Sequence, residues 1–93
     1  MDEPAADLGV VAAITSSLRK KAIGPETFVF GEISLAGEIR GAAQSGLRLK
    51  EADQLGFKRC VMPKSNVVDS TFDGDIEQIG VTTIEEALEV LFT

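Results

Sequence analysis

The sequence predicts an α/β fold, a mixed sheet with one hairpin and three helices. Three observations carry this prediction. Residues 28–56, FVFGEISLAGEIRGAAQSGLRLKEADQLG, read as strand, tight turn, strand, loop and amphipathic helix. Residues 59–62, RCVM, form a short apolar run closed by Pro63, as a buried strand would. The last segment, TIEEALEVLF, carries the clearest helical periodicity in the chain. Helix, strand, helix and strand in alternation make an α/β layout.

The first helix starts at Asp2-Glu3-Pro4, with acids near the positive dipole end and Pro in the first turn. Residues 5–18, AADLGVVAAITSSL, carry apolar side chains nearly all round. Leu8, Val11 and Leu18 make one stripe, widened by Val10, Ala13 and Ile14. Such a helix is expected to be central and buried. Arg19-Lys20-Lys21 closes it with cations, and Gly24-Pro25 breaks the chain.

Phe28 to Leu35 is expected as one strand, with Val29, Ile33 and Leu35 on one face and Phe28, Phe30 and Glu32 on the other. Apolar groups on both faces predict a central position in a sheet covered on two sides. Ala36-Gly37 is the turn signal, since Gly supplies positive φ, and Glu38-Ile39-Arg40 is the return strand. Glu32 and Glu38 flank this hairpin and are read as exposed or salt-bridged acids rather than as a paired-carboxylate site. The next helix, from about Ser45 to Leu55, turns Leu49, Ala52 and Leu55 inward and ends at Gly56. Phe57 packs back on its last turn.

Residues 64–74, KSNVVDSTFDG, read as a solvated surface loop. The acids Asp69, Asp73 and Asp75 around Gly74 lack the alternating spacing of a calcium loop. Residues 75–81, DIEQIGV, are a further strand. Thr83-Ile84-Glu85-Glu86 is a capping box, and Ile84, Ala87, Leu88 and Leu91 give the following helix its apolar face.

Ninety-three residues fit one domain, 1–93. A chain this short buries roughly 60–65% of its unfolded surface, so its stability is modest. No apolar run reaches the roughly 18 residues that span a bilayer, so no membrane partner is expected. Nothing at the N-terminus resembles a secretory signal. The single Cys60 allows no intrachain disulfide and points to a reducing, cytoplasmic setting. A net charge of −6 argues against general nucleic-acid binding, which rests on neutralising phosphates. It leaves room for a local basic patch.

The chemistry is defined largely by what is missing. The chain has no His, which removes the Ser-His-Asp and Cys-His routes and the commonest zinc ligand. Cys60 in an apolar strand is an inert core thiol. There is no GxxxxGK[ST] loop, and GEISLAG is not a dinucleotide fingerprint. No metal or cofactor site is expected in this chain. One device without His remains, a Ser nucleophile served by a Lys base.

GEISLAGEIR, GLRLKEADQLGFKR and VMPKSN, in that order, resemble the Lon-type protease domain. The resemblance runs from DEPAADLG to IEEALEVLF and implies the Lon-type proteolytic-domain fold, also described as ribosomal protein S5 domain 2-like. In that family the serine follows a proline in a D-G-P-S-A-G motif. The matching residues are Asp2-Glu3-Pro4-Ala5-Ala6-Asp7, so Ala5 stands at the nucleophile position. The family lysine lies in a G-G-L-K-E-K helix start, and Arg48 occupies that position. Ala has no hydroxyl, and Arg, with a pKa above about 12, cannot act as a base. No catalytic residue is therefore expected, and Ala5 and Arg48 mark a degenerate dyad.

EPAADL and GLRLKEA also resemble the branch of this family carried by bacterial recombinational DNA-repair ATPases. That resemblance implies a non-proteolytic scaffold in a longer protein. The parent would have a zinc-binding segment and an ATPase core using ATP and magnesium, and would form a hexameric ring on DNA. This domain would help to build the ring, so its first partner is itself. A secondary contact with DNA or a partner falls to Arg19, Lys20, Lys21, Lys58 and Arg59. Lon-like domains have further strands before the DEPAADL helix, so a fragment lacking N-terminal strands, prone to pair through its sheet edge, is expected.

Two readings compete. One is a Lon-type peptidase with a relocated dyad, Ser45 with Lys50, although five residues along a helix point these side chains apart. The other is a small stand-alone interaction module.

Overall fold

The computed structural model describes residues 4–69 and 74–92. A 3-10 turn, Pro4–Ala6, leads into α1, Asp7–Arg19. Then come β1 (Thr27–Val29), β2 (Glu32–Ile33), β3 (Ile39–Arg40) and α2 (Ser45–Gln54). The chain continues through β4 (Arg59–Pro63), α3 (Lys64–Asp69), β5 (Glu77–Val81) and α4 (Ile84–Phe92).

Strands β1, β4 and β5 form a parallel sheet in the order β1-β4-β5. Alternation along β4 organises both cores. Cys60 and Met62 join Ala5, Phe30, Ala42, Leu49, Ala52 and Ile76 in one cluster, with Phe28, Phe57 and Val67 against it. Val61 joins Leu8, Ala12, Val81, Ala87, Leu91 and Phe92 in the other. The sheet thus lies between α1 with α4 and α2 with α3.

The predicted strand 28–35 is two strands. Phe30 still donates its N–H to the Val61 carbonyl (3.1 Å), but Gly31 turns away to the start of α1. Its N–H donates to the Ala5 carbonyl (2.8 Å), and its own carbonyl accepts from Leu8 N–H (3.0 Å). A Cβ at Gly31 would lie 3.2 Å from Ile39 Cγ2 and 3.3 Å from Pro63 Cγ, tighter than side chains normally pack. The two-face pattern survives the break: Phe28 and Phe30 belong with one cluster, Val29 and Ile33 with the other. The central strand is β4; β1 lies at the edge.

Strands β2 and β3 pair separately as an antiparallel hairpin. Glu32 faces Arg40 and Ile33 faces Ile39, so Glu32 and Glu38 are not paired across the hairpin. The turn is Ser34 to Gly37, closed by Gly37 N–H on the Ser34 carbonyl (3.0 Å), with Gly37 at φ 82°. Leu35 therefore lies in the turn, fully exposed, rather than on a buried strand face. Ile39 N–H donates to Thr82 (2.8 Å), which docks the hairpin on the start of α4.

Helix α1 is buried on one side only. Leu8 and Ala12 are sealed, whereas Val10, Ile14 and Leu18 face solvent. The expectation of an all-round buried helix fails because the sheet, α4 and the hairpin all cover the same side of it. Its C-terminus is a Schellman motif: Lys20 adopts φ 52°, Lys20 N–H donates to Ser17 and Lys21 N–H to Ser16.

Helix α2 follows the prediction, with Leu49 and Ala52 buried and Gly56 at φ 92°, but Leu55 is exposed. Phe57 packs into the core, its ring centroid 5.3 Å from that of Phe28. The predicted loop 64–74 begins instead as α3. Gly80 makes room for it, since a Cβ there would lie 2.9 Å from Lys64 Cα. Asp73 lies outside the described residues. The capping box at α4 forms, with Glu86 N–H donating to Thr83 Oγ1 (3.2 Å). Glu86 Oε1 reaches one residue further back than expected, accepting from Thr82 N–H (2.7 Å).

Candidate functional site

Ala5 and Arg48 come from opposite ends of the fold's first half and converge on Phe30. Ala5 is buried in the 3-10 turn before α1, in the same apolar cluster as Phe30. The backbone ties them too, through the Ala5 carbonyl and Gly31 N–H. Arg48 stands in the first turn of α2, and its guanidinium carbon lies 5.9 Å from the centroid of the Phe30 ring. Its Nε–H donates to the Ala43 carbonyl (3.0 Å). The arrangement offers a methyl group, an aromatic face and a permanent cation. None of these supplies a nucleophile or accepts a proton.

The segment between β3 and α2 is held by a contact that the sequence reading missed. Asn66 of α3 accepts from Ala42 N–H through Oδ1 (2.8 Å) and donates through Nδ2 to the Ala42 carbonyl (3.2 Å). The side-chain amide matches both backbone groups of one residue, as another strand would. Gly41 passes close beside it, since a Cβ there would lie 2.8 Å from Ser65 Oγ. This clamp sets the loop that carries Ala43 and Gln44 and so the start of α2. The signal available was Asn66 next to the apolar pair Val67-Val68, shortly after a strand.

Ser45 and Lys50 are not brought together. Ser45 is half-buried at the start of α2, Lys50 is exposed, and no hydrogen bond joins them among the described residues. Cys60 is wholly buried, and burial pushes its thiol up to about 12. Among the described residues no cluster of His, Cys, Asp and Glu could hold a metal ion. No helix among them is long and apolar enough to cross a membrane.

The basic residues fall into two groups. Arg19 lies over the Phe92 ring, 5.5 Å from its centroid, and Lys21 Nζ donates to the Phe92 carbonyl (2.6 Å). Together they tie the end of α1 to the end of α4. Lys20 is exposed between them. Arg59 Nε–H donates to Thr27 Oγ1 across the first rung of β1 and β4 (2.8 Å), next to exposed Lys58. Glu26 and Glu77 flank this second group, Glu77 opposite Arg59. A hollow of about 500 Å³ beside the hairpin is lined by Ile33, Ser34, Leu35, Ala36, Glu38 and Arg40. It includes neither Ala5 nor Arg48.

With this geometry in hand, the class is defined. The chain belongs to the family of the Lon protease (S16) C-terminal proteolytic domain, whose model matches residues 1–93. Within it, the similarity is to the Lon-like domain of RadA. The DNA repair protein RadA of Halalkalibacterium halodurans is 46% identical over 90 residues, covering 97% of this chain and 20% of the relative. That of Aquifex aeolicus is 47% identical over 90 residues, with the same coverage of 97% and 20%. That of Bacillus subtilis is 43% identical over 88 residues, 95% of this chain and 19% of the relative. The chain spans about a fifth of the length of these relatives.

Proposed function

We propose that the chain is a non-proteolytic Lon-like scaffold, the self-assembly domain of a RadA-type, DNA-dependent ATPase acting in recombinational DNA repair. What supports the reading is the pair Ala5 and Arg48, which the resemblance sets at the family's nucleophile and base positions: Ala5 is buried in the apolar cluster of Phe30, and Arg48 lies over the Phe30 ring and donates to the Ala43 carbonyl. Acyl transfer needs an activated nucleophile, and neither side chain can be one. What remains useful is shape. The similarity to DNA repair proteins named RadA supports the repair setting.

In this reading ATP, magnesium and zinc are held by parts of a longer protein, which closes into a hexameric ring in the cytoplasm. The domain supplies subunit contact. Arg19, Lys20, Lys21, Lys58 and Arg59 add at most a weak, salt-sensitive contact with DNA, because the surrounding charge is negative.

The test pairs two assays. The 93-residue protein should not hydrolyse an unfolded protein substrate, with or without Ser45→Ala. A longer protein carrying this domain should form a ring with DNA-stimulated ATP hydrolysis and lose the ring when residues 1–93 are deleted. Hydrolysis abolished by Ser45→Ala would overturn the scaffold reading in favour of a relocated peptidase dyad. An intact ring after the deletion would overturn the self-assembly role of this domain.

A further inference from the structure

We draw no further inference here: the strongest candidate, the surface patch of Val10, Ile14 and Leu18 on the solvent side of α1, is an exposed apolar face, and nothing in the structure shows what covers it.

Discussion

The guanidinium of Arg48 covers the ring of Phe30, and Phe30 shares its apolar cluster with Ala5. Two positions 43 residues apart are thus brought to one aromatic side chain. The ring offers its negative face to the cation. A catalytic lysine would have to be free to lose a proton; Arg48 is instead held by Ala43 and the ring. Ala5 and Arg48 serve packing here.

Returning a hydroxyl to this place should therefore cost stability. Ala5→Ser puts a polar group into a buried apolar cluster, and unfolding in urea should show a loss of about 1–2 kcal/mol. An unchanged or raised stability would mean that the cluster holds an acceptor for the new hydroxyl.

Gly31→Ala should be more damaging than its small size suggests. The added methyl meets Ile39, Pro63 and Leu8 at 3.2, 3.3 and 3.4 Å, where β1, the hairpin and α1 meet. Overpacking of this kind costs about 1–3 kcal/mol, read as a lower urea midpoint. A methyl at Gly46 meets nothing within 4 Å and serves as the control.

Asn66→Ala should loosen the start of α2. It leaves Ala42 N–H and carbonyl without their partners, at a cost of about 1–3 kcal/mol. Asn66→Asp keeps the acceptor but sets a carboxylate against the Ala42 carbonyl, so it should rescue little. Hydrogen exchange at the Ala42 amide should accelerate in the alanine variant more than exchange in α4.

Cys60 predicts an alkaline limit. Burial raises its folded pKa to about 12, above the ordinary thiol value of about 8.5. Between these values the unfolded chain releases the proton and the folded chain keeps it. Stability should be flat below the unfolded value and fall by about 1.4 kcal/mol per pH unit above it, until the folded thiol also ionises near pH 12. Cys60→Ala should lack this component of the slope when urea midpoints are compared across pH. In the folded protein at pH 8 the thiol should resist alkylation.

Features written over a few adjacent residues were legible in the sequence. The turn at Gly37, the stop at Gly56 and the cap at Thr83 each depend on one backbone angle or one local hydrogen bond. The alternation of Phe28 and Phe30 against Val29 and Ile33 also survived, because a strand's period assigns faces without reference to neighbours.

Other features belong to the assembled fold. Residues 28–35 look like one strand by propensity, yet the chain breaks at Gly31 because α1 claims its backbone groups. Residues 64–69 look like a loop, yet they coil because Gly80 leaves room for a helix and Asn66 has Ala42 to hold. The apolar pattern of α1 named the residues but not which of them would meet a neighbour, since that depends on which elements arrive to cover it. Local chemistry acts over neighbouring residues and can be read along the chain; exclusion of water and matching of donors to acceptors happen between distant segments, and only the folded arrangement decided them.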